Sequence, residues 1–267
     1  MEENEFESML GLNGTVQELN KKAMLKRKRE GIGCVLCDYT GFTISKDQKQ
    51  VMCSCTKDKF YYEVFKKANV PNLYIGKNIE DWNTRTDAFG NDLGVQQNIS
   101  EKTYALVKFY IKHINGICTN NCPTIKHSGN MKAELHSLLF EGGIGSGKTF
   151  LASIMVQHAI RKNLSAKYYD WNELIETLID FNKKDLADDV VEEFKNLDFI
   201  VLDGVEYSNF NHPQLPHHLD RVSKARANSG KPIMIFASND HPSIQAGSGW
   251  KSLLKNCLLI RLPRAIN

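Results

Sequence analysis

Long hydrophobic runs are missing from this sequence. Across its 267 residues no apolar stretch approaches the roughly 18 needed to cross a bilayer as a helix. The first residues are acidic and polar, without the apolar segment of a secretory signal. These absences predict a cytoplasmic protein with no membrane partner. Net charge is also scarce: 34 Lys and Arg against 31 Asp and Glu leave +3, too little to argue for nucleic-acid binding by bulk electrostatics. The basic residues are uneven, however. Lys21, Lys22, Lys26, Arg27, Lys28 and Arg29 crowd one short segment, which is either a solvated helix face or a contact for an acidic partner or nucleic acid. What is present is an ordinary globular apolar share of 42%, in a chain long enough for one α/β domain and a small appendage.

The strongest local signal is Gly142-Gly143-Ile144-Gly145-Ser146-Gly147-Lys148-Thr149, a full match to G-x-x-x-x-G-K-[ST]. It lies between an apolar run, Leu138-Leu139-Phe140, and a helical pattern beginning at Phe150. That setting predicts a phosphate-binding loop for ATP. Glycines permit positive φ and close approach, so successive N–H groups can ring a phosphate at a helix N-terminus. Lys148 is then expected on the β- and γ-phosphates and Thr149 on Mg²⁺.

Seven cysteines in a reducing compartment favour metal ligands or free thiols over disulfides. Cys34-x-x-Cys37 and Cys53-x-Cys55 form two close pairs, and a hairpin between them would let four thiolates surround one Zn²⁺ at about 2.3 Å. A closed Cys₄ shell leaves no place for a catalytic water, so the expected zinc is structural. In a segment this short, metal binding also supplies folding energy. A second group, Cys118 and Cys122 flanked by His113 and His127, has ligand types that suit zinc, although His113 also fits the polar face of a helix. Cys257, among Leu253, Leu254, Leu258 and Leu259, is expected to pack in the core.

Downstream of the loop, strands and helices alternate. Ala166 to Asp170 is expected as a strand, Trp171 to Phe181 as a helix, and the stretch around Leu186, Val190, Val191 and Phe194 as another. Phe199-Ile200-Val201-Leu202-Asp203 is a buried strand ending in a carboxylate, the arrangement that supplies a Mg²⁺ partner in phosphate-loop enzymes. Ile233 to Ala237 leads to Asn239, which either bonds the γ-phosphate or attacking water or is only a turn residue. Leu258 to Leu262 makes the last strand. Alternation of this kind predicts a three-layer α/β fold around a parallel sheet.

In combination these motifs resemble the AAA+ helicase loaders of the DnaC and DnaI type, phage members in particular. The resemblance rests on the cysteine pairs with Asp38-Tyr39-Thr40-Gly41-Phe42, on Ile79-Glu80-Asp81-Trp82, on Gly147-Lys148-Thr149-Phe150, and on Tyr169-Asp170-Trp171, Ile200-Val201-Leu202-Asp203 and Phe236-Ala237-Ser238-Asn239. It implies a polar and basic segment over 1–30, a zinc-binding, helicase-interacting module over 31–75, a linker and leading helix over 76–130, and an AAA+ ATPase domain of the ASCE type over 131–267 without a C-terminal lid. It further implies a hexameric replicative helicase and single-stranded DNA as partners, with self-association into a ring or spiral on the helicase. Two departures predict slow hydrolysis. The second acid expected after Asp203 is replaced by Gly204, leaving Glu206 as the nearest carboxylate. The trans arginine expected after Asn239 is absent, with only Lys251 and Lys255 there, and Arg221, Arg226, Arg261 and Arg264 fit the motif poorly. Two other functions stay open: an IstB-type transposition regulator, which typically lacks a zinc module, and an adaptor that binds nucleotide without hydrolysing it.

Overall fold

In the computed structural model the described residues are 25–26, 28–30, 34–127, 131–180, 184–206, 215–238 and 248–263. They divide into two units, Met1–Val64 and Phe65–Asn267. The division falls within helix α1 (Ser54–Lys67), where the sequence led us to expect a boundary at 75.

In the first unit, strands β1 (Phe42–Ile44) and β2 (Gln50–Met52) pair as an antiparallel hairpin with Phe42 opposite Met52. The hairpin lies between the two cysteine pairs, as their spacing requires. Ahead of it a single 3₁₀ turn, Val35–Cys37, ends in Asp38 at φ 44°. Cys55 stands in the first turn of α1.

The second unit is built on a parallel sheet in the order β6-β7-β8-β5-β9. Its strands are β5 (Ser137–Glu141), β6 (Ala166–Asp170), β7 (Phe199–Val205), β8 (Ile233–Ala237) and β9 (Cys257–Arg261). Every residue of β8 is buried, and β7 is buried except at Gly204. Such strands are apolar on both faces because helices cover both faces. One face packs Leu139, Ile200, Leu202, Ile233 and Ile235 with the apolar sides of α4 (Trp171–Ile179), α5 (Lys184–Asn196), α6 (Leu215–Ser229) and α7 (Ser248–Lys255). The alternate residues, including Phe140 and Phe236 stacked at 4.6 Å, belong to the side of α3 (Lys148–Arg161), against which α2 (Gln97–Cys118) packs. This is the three-layer phosphate-loop architecture expected of an AAA+ domain. An antiparallel hairpin, β3 (Thr124–His127) with β4 (Met131–Glu134), precedes β5 in what the sequence presents only as a polar stretch.

Candidate functional site

The phosphate loop joins β5 to α3 at the C-terminal end of the sheet. Gly145 and Gly147 hold φ of 79° and 84°, conformations that carry little cost only without a Cβ. Gly147 is the N-cap of α3 and offers no side chain, so the helix N-terminus presents bare N–H groups. Ser146 Oγ donates to Gly143 O at 2.8 Å, closing the loop on itself. Lys148 Nζ donates to the carbonyls of Gly142 and Gly143 at 2.8 and 2.7 Å, so the ammonium curls back over the loop that its helix starts. Burial lowers the Lys148 pKa, opposed by the negative charges of Asp203 and Glu206. Both carboxylates therefore lie within electrostatic reach of the loop lysine.

Asp203 ends the apolar part of β7 and is 4% exposed. Burial raises its pKa, opposed by hydrogen bonding from Tyr168 and Thr149 and by the charge of Lys148. Tyr168 OH, from the neighbouring strand, donates to Asp203 Oδ2 at 2.7 Å, while Oδ1 is buried without a hydrogen-bond partner. A buried carboxylate oxygen left open beside a threonine hydroxyl and a phosphate loop is a donor set that a Mg²⁺ ion fits. Gly204 follows at φ 75°, where the pairing of β7 with β8 shifts register between Leu202 and Val205. Glu206, just past the strand, is exposed.

A segment ahead of α2 crosses this loop. Ala88 N–H donates to Gly145 O at 3.0 Å, and a Cβ at Gly145 would stand 2.5 Å from the ring of Phe89. Trp82 lies beside Gly147 and meets Phe150 edge to face at 6.1 Å, as Tyr74 does at 6.0 Å. Gln157 of α3, fully buried, accepts from Gly76 N at 2.7 Å and donates to Tyr74 O at 2.8 Å. Residues 74–89 are thus fastened to the phosphate-loop helix, although the sequence suggests the end of a zinc-binding module at 75 and a linker after it. The isolated aromatics Trp82 and Phe89 in a polar stretch were the available signal.

In the first unit the four sulfurs of Cys34, Cys37, Cys53 and Cys55 lie within 4.8 Å of one another. Three of the separations are 3.7 to 3.9 Å. Ligands about 2.3 Å from a tetrahedral zinc stand about 3.8 Å apart, so the cluster fits that ion in both chemistry and spacing.

Residues 130–245, somewhat under half of the chain, match the family described as IstB-like ATP binding protein. This stretch, which carries the phosphate loop and Asp203, is thus similar to IstB-like ATP-binding proteins. A crystal structure of a DNA replication initiation factor aligns over 70% of this chain and 50% of its own, with 16% identity and a TM-score of 0.50. AMPPCP-bound DnaA from Aquifex aeolicus aligns over 72% and 51%, at 14% identity and a TM-score of 0.50. The chain thus spans about half the length of these initiator structures, and at such identity the likeness shows the fold alone. A DnaC helicase loader aligns over 72% of this chain and 99% of its own at 16% identity, with a TM-score of 0.48. No curated protein matches the chain in sequence.

Asn239, Arg264 and, in the basic run, Lys21, Lys22 and Arg27 lie outside the described residues. Lys26 lies 3.9 Å from Glu30 on an exposed surface. The second cysteine group does not assemble among the described residues, where the Cys34 to Cys55 cluster is the metal-competent one. Cys118 is buried, and desolvation pushes its thiol up to about 12. His113 Nδ1 donates to Phe109 O at 2.8 Å, and the side chain of His127 is not described. Cys257 is partly buried and packs against the core, as expected. Arg226 is 1% exposed and donates to the carbonyls of Phe194, Leu197, Asp198 and Pro232, so it cannot reach a neighbouring subunit. Arg221 is held by Asp188 at 2.6 Å, and Arg261, 79% exposed, stands 3.7 Å from Glu141.

Proposed function

We propose that this chain is an ATP-dependent loader that binds a hexameric replicative helicase and delivers it onto single-stranded DNA in the cytoplasm. The observation that carries this is the union, in one chain, of a four-cysteine unit with almost no core and an IstB-like ATP-binding domain. A small metal-organised unit that leaves Val35 84% and Ile44 70% exposed suits a docking role, with the ATP-binding domain acting as its switch. Self-association into a ring or spiral on the helicase belongs to the same proposal.

In the nucleotide site, Gly142, Gly143, Ile144, Gly145, Ser146, Gly147 and Phe150 would shape the loop, and Lys148 would leave its loop carbonyls for the β- and γ-phosphates. Thr149 and Asp203 would hold Mg²⁺, which when bound neutralises developing phosphate charge. Hydrolysis is proposed to be slow: Gly204 supplies no carboxylate, Glu206 lies beyond the strand, and Arg226 is locked in the core. Asn239 remains a candidate for the γ-phosphate or attacking water.

The family match itself favours one alternative, an IstB-type transposition regulator. Co-elution of the full chain with a purified replicative helicase decides between them. We expect binding by the wild type and by Lys148→Ala, which should lose tight ATP binding, but not by Cys53→Ser. No binding by the wild type in either nucleotide state would overturn the loader proposal.

A further inference from the structure

We propose that Tyr168 is a positioning residue for the nucleotide-bound metal, fixing Asp203 through one carboxylate oxygen so that the other stays open to the cation. The inference rests on Asp203 being a Mg²⁺ partner. It adds a residue that none of the phosphate-loop motifs contains.

Parallel register explains how a residue on β6 reaches the end of β7. Asp170 lies opposite Asp203 and Tyr168 opposite Val201. Val201 and Asp203 share a sheet face because strand side chains alternate, and a tyrosine two positions back on that face is long enough to bring its hydroxyl to the carboxylate. The observed bond, Tyr168 OH to Asp203 Oδ2 at 2.7 Å, joins two residues that are each 4% exposed. Tyr168 is held at its backbone as well: β6 is an edge strand, and Tyr168 N–H donates to Ala68 O at 2.9 Å on its outer side. The hydroxyl therefore projects from a strand secured on both sides.

The two carboxylate oxygens are left unequal. Oδ2 has a donor, while Oδ1 is buried with none. A buried acceptor without a donor is costly, and a bound cation is one occupant that removes the cost. If Tyr168 merely filled space, phenylalanine would do so without burying a hydroxyl that needs a partner. Outer donors that orient a ligating carboxylate commonly govern metal affinity by about 10–100-fold, without touching the metal.

The test is Mg²⁺ titration of a fluorescent ATP analogue bound to the full chain, comparing wild type, Tyr168→Phe and Asp203→Asn. Phenylalanine keeps the ring and its packing, so analogue affinity in EDTA should stay at the wild-type value, with only a small fall in melting temperature from the lost hydrogen bond. The Mg²⁺ concentration giving half-maximal enhancement of affinity should rise about ten-fold in Tyr168→Phe. In Asp203→Asn the enhancement should vanish. A wild-type Mg²⁺ response in Tyr168→Phe, with Asp203→Asn defective, overturns the role of Tyr168 alone. An equal loss of affinity with and without Mg²⁺ would assign Tyr168 to packing and overturn it too. Retention of the full response in Asp203→Asn would remove the metal role of Asp203 and the inference with it.

Discussion

Between Cys34 and Val64 only Cys37, Gly41 and Cys53 are buried, whereas in the second unit β8 is buried throughout and β7 nearly so. The first unit has four sulfurs where the second has a core. A hairpin of three-residue strands and one 3₁₀ turn cannot offset its chain entropy by apolar burial, because its apolar side chains Val35, Leu36, Phe42 and Ile44 are all exposed. The second unit also contains an ionic centre, of opposite design. Arg226 places a guanidinium among four main-chain carbonyls at the ends of α5 and β8, where the first unit would place a metal among thiolates. One unit offers a place for a cation from outside; the other carries its own. Damage to either should therefore stay local.

The largest effect is expected in the first unit. Cys53→Ser removes one of four ligands from a site whose metal supplies on the order of 10 kcal/mol of folding free energy. Zinc content should fall from one ion per chain to near zero, and proteolysis should open the region before about residue 64, while ATP binding at the phosphate loop of the second unit persists. Wild-type protein purified fully folded without metal would break the comparison at its root.

Arg226→Met tests the opposite unit. Deleting the guanidinium strands four buried carbonyls, at a cost of about 3–5 kcal/mol by analogy with breaking buried charged contacts. Arg226 is 1% exposed, and that desolvation lowers its pKa to about 10. A fall in the melting temperature of the second unit with zinc content intact is expected; an unchanged melt would show the arginine to be incidental.

The two units also differed in how far they could be anticipated. Sequence patterns located β6, β8 and the phosphate loop closely, because apolar runs and a glycine motif are local signals. Asp170, at the strand-to-helix step, caps α4, accepting from Asn172 N and Glu173 N. The cysteine pairs were equally plain. Helix α1 was not: of its fourteen residues only Phe65 is buried, so it carries no apolar stripe. Arg226 looks like any solvated helix charge until α5 and β8 are brought beside it. The contacts of Phe89 with Gly145 and of Tyr168 with Asp203 depend on strand register and chain crossing, information held between distant segments.

The smallest effects concern turnover, where the second unit departs from its own motif. With Mg²⁺, helicase and single-stranded DNA present, steady-state phosphate release should run well below the roughly 1–100 s⁻¹ of typical phosphoryl-transfer enzymes. Glu206→Gln should change that rate little, since the carboxylate is exposed beyond the strand end. Gly204→Glu is the sharper test. No atom lies within 4 Å of a Cβ built at Gly204, so the side chain has room, but φ of 75° strains any residue other than glycine by about 1–2 kcal/mol. The strain is smaller than the gain a placed base commonly brings, about 10²–10⁴-fold. A modest rise in rate with a slightly lower melting temperature is therefore expected. A fast wild-type rate that collapses in Glu206→Gln would instead make Glu206 the base, and would mean that the turn after Val205 rearranges when helicase and DNA are bound.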